Sequence, residues 1–303
     1  MIEAPTAGGD AHLAHAYLQR IAVDQSLRLL HIKGPISTTH EVAAPRTHSD
    51  ADVLVAPADH DAVCRALEEH GWTPFRDTTA PRLLDLHSRA YRRAGWHCSI
   101  DVHRYYPGFF ADPDVAFEHL WSRRMVTTLG AWEVTTPCVV DLACVVSVHA
   151  ARDAGLARSQ RDLDVVVGRF ASGELDVADL VATARQLRAL TTLAPLFAQL
   201  HITPEDDLTT DERTAWEVVQ TNDGSTTAIH WYVAWRTGGW RQRRALVLAA
   251  ARTLVDAFRA ETTTGESRVR AFVAKLALAA AEVRRMRTRL PEQTSTSPHA
   301  EER

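Results

Sequence analysis

Three aspartates in two short apolar runs could act together at one site. Asp50 and Asp52 lie in the run 49–55 (SDADVLV), and Asp101 lies in the run 99–103 (SIDVH). Successive side chains of a β-strand point to opposite faces, so Asp50 and Asp52 share one face of the first predicted strand. If the two strands are neighbours in a sheet, the three carboxylates converge on one spot of its surface.

Carboxylates that converge in this way stay ionised only if a positive charge compensates them. Mg²⁺ suits such a place, because it prefers oxygen ligands and is bound through one or two carboxylates, waters and substrate phosphates. We therefore predict that Asp50, Asp52 and Asp101 bind Mg²⁺ or Mn²⁺ and form a phosphoryl-transfer site. His103 shares the face of Asp101, and we expect it to orient that aspartate.

The elements that position these aspartates are strands alternating with helices. The pattern predicts helix 11–23, strand 27–32, a connection over 35–48, strand 50–56, a helix between 59 and 71, an edge strand over 72–75, a hairpin of 89–93 and 96–104, and helix 115–125. The connection over 35–48 is long for a compact domain, and connections of that length are typically functional.

From about residue 137 the pattern changes, because helical spacing continues and strand-like alternation nearly disappears. The predicted helices are 137–152, 159–170, 176–190, 192–200, 211–220, 240–261 and 265–289. We therefore predict an α+β fold with an α/β domain over 1–136, a helical domain over 137–290 and a disordered tail over 291–303.

Composition and charge exclude several classes of protein. The net charge of −4 counts against a general nucleic-acid-binding protein. The four cysteines have no metal-ligand spacing, which is typical of a reducing compartment. The N-terminus lacks the pattern of a signal peptide, and the apolar stretch 137–151 is too short to span a bilayer. We expect a soluble, cytoplasmic protein without a membrane partner.

A set of short motifs resembles a known family. Lys33-Gly34, Arg46, Asp50-Ala51-Asp52 and Asp101-Val102-His103, in this order, resemble the uncharacterised nucleotidyltransferase family of the DNA polymerase β-like superfamily. The resemblance covers residues 12–170 and implies a polymerase β-like mixed sheet with helices, followed by an all-helical C-terminal region. It also implies two Mg²⁺ ions on the three aspartates and an NTP as substrate.

The resemblance places the triphosphate on a glycine-containing turn, which here is Gly34-Pro35. The usual turn of the superfamily is Gly-Gly or Gly-Ser, and proline has no backbone N–H to offer a phosphate. Ser37, Thr38 or Lys33 could therefore supply the contact, and Arg46 could hold a phosphate with two parallel hydrogen bonds. We expect Lys33, Gly34, Ser37 and Arg46 to bind the nucleotide.

The resemblance implies an enzyme that moves an NMP from an NTP to a hydroxyl or phosphate of an unidentified acceptor. That acceptor is a small molecule, peptide or protein, and tailoring of a peptide natural product is one such role. Other readings stay open: a non-catalytic metal- and nucleotide-binding pseudoenzyme, a transfer from a sugar nucleotide or by another NTP chemistry, and a toxin-type nucleotidyltransferase acting on tRNA or protein. The net charge of −4 counts against tRNA.

Overall fold

A five-stranded mixed sheet, a two-stranded hairpin and nine helices make up the part of the chain that the structure describes. The computed structural model describes residues 7–75, 87–129 and 131–220. In chain order the elements are α1 (Ala7–Asp24), β1 (Leu29–Ile32), α2 (Gly34–Thr39), β2 (Asp50–Val55), α3 (His60–Glu69), β3 (Thr73–Pro74), β4 (Ser88–Arg92), β5 (Ser99–His103), α4 (Pro113–Ser122), β6 (Met125–Leu129), β7 (Trp132–Thr136), α5 (Val139–Arg152), α6 (Ala157–Ala171), α7 (Val177–Gln186), α8 (Ala194–Gln199) and α9 (Thr210–Gln220).

The large sheet has the strand order β1-β2-β5-β4-β3. Strands β2 and β5 run parallel, and the other neighbouring pairs are antiparallel. The pairing of β4 with β5 is the hairpin that the sequence predicts around Gly95. The architecture is therefore α+β, as predicted, and it makes the two aspartate-bearing strands direct neighbours.

Hydrophobic side chains cover both faces of this sheet. Val53 and Ile100 point to one face, where they are fully buried among residues of α1 and α3. Leu54 points to the opposite face and belongs to a cluster that includes residues of α5 to α8. Because side chains alternate along a strand, Asp52 and Asp101 lie on the face that those helices cover. The helical region thus encloses the face that carries the acids.

Helix α2 differs from the sequence-based prediction, which placed residues 35–48 in one long connection. Pro35 stands in the first turn of this short helix, where its missing N–H breaks no helical hydrogen bond. Ile36 is fully buried in the core, so burial rather than helix propensity fixes the segment. Residues 40–49 remain irregular and lead into β2.

The hairpin β6–β7 was absent from the sequence-based prediction. The predicted helix 115–125 ends at Ser122, and the chain then forms two paired strands. Thr127 and Thr136 hydrogen-bond to each other inside the protein at 2.9 Å, and His40 contacts Thr127 at 2.7 Å. Buried threonines with such partners suit a strand, and the sequence alone does not reveal the partners.

Residues 137–220 contain helices and no strands, as predicted. All described residues belong to one compact unit, and Leu142 and Val146 of α5 share a hydrophobic cluster with Leu30 and Ile32 of β1. The predicted helices 240–261 and 265–289 and the predicted tail 291–303 lie outside the described residues. The domain boundary at residue 137 therefore stays a prediction.

None of the helices within residues 7–75, 87–129 and 131–220 combines the length and the hydropathy that a membrane-spanning helix needs.

Candidate active site

Asp52 of β2 and Asp101 of β5 are direct partners in the parallel register. His103 lies two residues after Asp101, and the ligating atoms of these three side chains all lie within 4.8 Å of one another. His103 Nε2 is 3.0 Å from Asp52 Oδ1 and 3.4 Å from Asp101 Oδ2. The imidazole therefore bridges the two carboxylates. We call Asp52, Asp101 and His103 the acid cluster.

Lys33 brings a positive charge into the acid cluster. Its Nζ lies 2.5 Å from Asp52 Oδ1 and 3.4 Å from His103 Nε2, and its side chain is only 14% exposed. Its backbone has φ +55° and ψ −161°, a conformation that costs a non-glycine residue about 1–3 kcal/mol. Lys33 is also one of only two lysines among 34 basic residues. The compact ammonium of this lysine lies close to Asp52 and His103 at once.

The electrostatics of the Lys33–Asp52 pair follow from its burial. Burial alone would raise the pKa of the Asp52 carboxyl, but the Lys33 charge and the hydrogen bond from His103 outweigh it and hold that pKa below its usual range. Burial alone would likewise lower the pKa of Lys33, but the charge of Asp52 raises it above the ordinary value. Both groups are therefore charged at neutral pH, and the site holds a cation of its own.

Asp50 lies at the start of β2, on the same face as Asp52, and is the most exposed of the three aspartates. Partial burial, followed by the charge of Asp52, raises the pKa of the Asp50 carboxyl. The charge of Asp52 therefore acts on the Asp50 carboxyl. The Asp50 carboxylate is nevertheless not among the ligand atoms that lie within 4.8 Å of one another. A cation near Asp50 and Asp52 would relieve this repulsion.

Gly34 follows Lys33 and also has a positive φ, +50°. A Cβ at this position would lie 3.4 Å from the Asp50 carbonyl oxygen and 3.9 Å from His15 Nε2. Both distances are ordinary van der Waals contacts, so it is the positive φ that favours a glycine here. Its approach to a phosphate stays a prediction.

The other two predicted nucleotide-binding residues are Ser37 and Arg46. Ser37 is buried in α2, and its Oγ has no hydrogen-bond partner among the described residues. Arg46 pairs with Asp162 of α6, with Nη1 2.5 Å from Oδ1, and Asp162 also accepts the backbone N–H of Ala44. Asp162 therefore ties the connection before β2 to the helical region, and nucleotide binding by Ser37 and Arg46 stays a prediction.

Tyr106 and the end of α5 lie beside the site but carried no role in the sequence-based prediction. Lys33 Nζ is 5.8 Å from the centre of the Tyr106 ring, and the Tyr106 hydroxyl donates to the Val145 carbonyl of α5 at 2.9 Å. Burial and the charges of Lys33 and Arg152 lower the pKa of His149 to about 3. The feature of the sequence that could have indicated this role is the presence of His149 and Arg152 at the end of the mostly apolar helix α5.

The acid cluster fits a hard divalent cation. Asp101 Oδ1 is buried without a hydrogen-bond partner within the described part of the chain, so one carboxylate oxygen is left for a cation or a proton. Asp50, Asp52 and Asp101 offer the oxygen ligands that Mg²⁺ and Mn²⁺ prefer, and His103 orients two of these carboxylates.

Comparison with known families agrees with this arrangement. The family model described as "Uncharacterised nucleotidyltransferase" matches residues 10–202, which is more than half of the chain. The chain belongs to this family. The matched range contains every residue of the acid cluster, Lys33, and helices α5 and α6, so the family's region includes the helical cover of the sheet as well as the sheet itself.

Among solved structures, the chain is similar to the crystal structure of an antigenic nucleotidyltransferase-like protein from Paracoccidioides brasiliensis. The identity is 11% and the TM-score is 0.41, over 67% of this chain and 97% of that chain. No curated protein matches the chain.

Proposed function

We propose that this member of the nucleotidyltransferase family transfers an NMP from an NTP, with ATP as the first candidate, to a hydroxyl or phosphate on a small molecule, peptide or protein. The observation that carries the proposal is the parallel register of Asp52 with Asp101, which brings their carboxylates and His103 together. Paired carboxylates that hold a cation are what a metal-dependent phosphoryl-transfer site needs. Tailoring of a peptide natural product belongs to this proposal as one role.

Asp50, Asp52 and Asp101 would hold the metal, Mg²⁺ or Mn²⁺. When bound, the metal supplies Lewis-acid stabilisation to the attacking and leaving oxygens. Lys33 would then be released from Asp52 and could contact a phosphate of the nucleotide as a point charge. His103 would keep the two carboxylates oriented, as it does through its contacts with Asp52 and Asp101.

The proposed reaction is a displacement at the α-phosphorus of the NTP. The acceptor oxygen forms a bond to this phosphorus, the bond from it to the oxygen that bridges to the β-phosphorus breaks, and pyrophosphate leaves. We assign Asp101 the role of general base, because its side chain is 28% exposed whereas Asp52 is buried, which makes the Asp101 carboxylate the more accessible of the two to an acceptor hydroxyl. A phosphate acceptor is already ionised and needs no such base.

A pseudoenzyme that binds metal and nucleotide is the second candidate. Two observations favour it: Lys33 already neutralises Asp52, and Pro35 has no N–H for a phosphate. A cytoplasmic location belongs to the proposal as well, since all four cysteines are free thiols and suit a reducing compartment.

Metal binding tests the assignment of Asp52. We expect isothermal titration of the chain with Mn²⁺, in the presence of a non-hydrolysable ATP analogue, to show binding that Asp52→Asn weakens by at least about 10-fold, because a charged oxygen ligand is lost. Asp164→Asn is the matched control, since it removes an exposed carboxylate on α6 and should bind like the wild type. Equal affinities for wild type and Asp52→Asn would contradict the metal site.

A further inference from the structure

Helix α5 is buried along its length except at its end. His149, Arg152 and the following residue Asp153 each have a side chain that is 22–23% exposed, whereas residues 140–148 are all buried. We call His149, Arg152 and Asp153 the α5 terminal patch. These partly exposed polar side chains are the part of the end of α5 that solvent or a ligand can reach.

Tyr106 contacts both the acid cluster and helix α5. The Tyr106 ring lies 5.8 Å from Lys33 Nζ and 6.0 Å from the ring centre of His103. Its hydroxyl bonds to the carbonyl of Val145, and His149 lies one helical turn after Val145 on the same face of α5. The charges of Lys33 and Asp52 also act on the His149 imidazole, so the α5 terminal patch lies close to the acid cluster.

The hydrogen bonds of His149 determine which of its ring atoms can meet a ligand. Arg152 Nη2 lies 2.8 Å from His149 Nδ1, and because a guanidinium has only donors, Nδ1 accepts. Burial and two nearby positive charges keep the imidazole neutral, so its proton is on Nε2. Asp153 Oδ2 lies 3.8 Å from Nε2, too far for a hydrogen bond. The Nε2–H group can therefore donate a hydrogen bond to a ligand.

We propose that Arg152 and His149 bind the triphosphate of the NTP, with Lys33 as a third donor. This inference rests on the proposed function and names the residues that bind the phosphates of its substrate. These contacts are needed because the backbone of the Gly34-Pro35 turn has few donors to offer. Pro35 has no N–H, and the N–H groups of Ile36 and Ser37 donate to the Lys33 carbonyl. A guanidinium and a neutral imidazole N–H match phosphate oxygens.

The position of the patch at a helix C-terminus gives Arg152 a second role. The dipole of α5 favours a cation there and disfavours an anion, so any phosphate contact must come from the side chains. Loss of Arg152 could also weaken the helix end, and Asp153 Oδ1 lies 3.4 Å from Arg152 Nε. The test must therefore separate phosphate binding from stability.

The test measures the binding of three probes to the full chain by isothermal titration in Mg²⁺: an ATP analogue with a methylene bridge between the α- and β-phosphates, inorganic tripolyphosphate, and adenosine. We expect Arg152→Gln to weaken binding of the analogue and of tripolyphosphate about 10–100-fold, as for a lost charge-assisted contact, and to leave adenosine binding unchanged. Arg152→Lys keeps the charge at the helix end, and its affinities for the analogue and for tripolyphosphate should lie between those of the wild type and those of Arg152→Gln.

Arg158→Gln is the matched control, since it removes an exposed arginine on α6 and should change none of the affinities. Thermal unfolding of each variant reports the stability role separately. Binding of the analogue by Arg152→Gln at wild-type affinity would overturn the inference, as would an equal loss of adenosine binding or a wild type that binds neither the analogue nor tripolyphosphate. If the chain binds the analogue through Arg152 but never releases pyrophosphate, the result would support phosphate binding by Arg152 and contradict the proposed transfer reaction.

Discussion

Lys33→Met is expected to destabilise the metal-free protein by about 3–5 kcal/mol at neutral pH, because it leaves the buried Asp52 carboxylate without its counter-charge. Asp52 is only 5% exposed, and of its two partners only His103 would remain. For a domain of this size the loss corresponds to a fall in melting temperature on the order of 10 °C. Thermal and urea unfolding in EDTA measure it.

The sign of the pH dependence separates this effect from simple loss of packing. In the wild type the folded pKa of Asp52 is depressed, so its stabilisation is present above the unfolded pKa of about 4 and is lost as the pH falls through the folded pKa. Without Lys33, burial dominates and raises that pKa, so stability is lost as the pH rises. The difference between wild type and Lys33→Met should therefore be largest near pH 7 and shrink toward pH 4.

Arg20→Met is the control, because it breaks an ion pair with Asp24 of similar length, 2.7 Å, whose side chains are 66% and 50% exposed. We expect a change below about 1 kcal/mol there. Added Mn²⁺ should restore more stability to Lys33→Met than to the wild type, because the cation finds no ammonium in its place. A Lys33→Met protein as stable as the wild type across pH 4–8 would contradict the charge-compensation account.

Asp101→Asn should lose at least about 10²-fold in turnover while binding the NTP–metal complex within several-fold of wild type. Asp101 stands beside Asp52 in the sheet, but it is more exposed, with 28% of its side chain accessible, and its Oδ1 has no partner in the described residues. We therefore expect Asp101 to act on the acceptor, whereas Asp52 is enclosed by Lys33 and His103. Single-turnover assays and titrations measure the two quantities separately.

Asp164→Asn is again the control for Asp101→Asn, and NTP hydrolysis to NMP and pyrophosphate can replace transfer while the acceptor is unidentified. If Asp101→Asn kept wild-type turnover, the third carboxylate would have no part in the chemistry. An equal loss of binding and of turnover would instead assign Asp101 to the metal alone.

The alternation of side chains along each strand was sufficient to predict the common face of Asp50 and Asp52. It could not predict that β2 pairs with β5, because that pairing joins residues about fifty positions apart and depends on the whole sheet. The same limit applies to α2, whose Gly-Pro start and β-branched residues indicate a connection, while the burial of Ile36 makes it a helix. Long-range packing overrides local preference there.

The ionic contacts of the site were beyond prediction for a related reason. Lys33 follows the end of β1 and Asp52 lies inside β2, while Arg46 and Asp162 are 116 positions apart in the chain. Motif order indicated that Lys33 and Arg46 belong near the site, but only the three-dimensional contacts distinguish a residue inside the acid cluster from one that ties a connection to a helix. The sequence likewise does not reveal that Tyr106 contacts both Lys33 and helix α5.

The release of pyrophosphate tests the central claim most directly. The full chain, incubated with each NTP in Mg²⁺ or Mn²⁺, should release pyrophosphate and form an NMP product, and both EDTA and Asp52→Asn should suppress the release by at least about 10²-fold. Release that persists in EDTA and in Asp52→Asn would contradict the metal-dependent mechanism. A wild type that binds metal and nucleotide but releases no pyrophosphate from any NTP, with a range of hydroxyl and phosphate acceptors, would identify a pseudoenzyme instead.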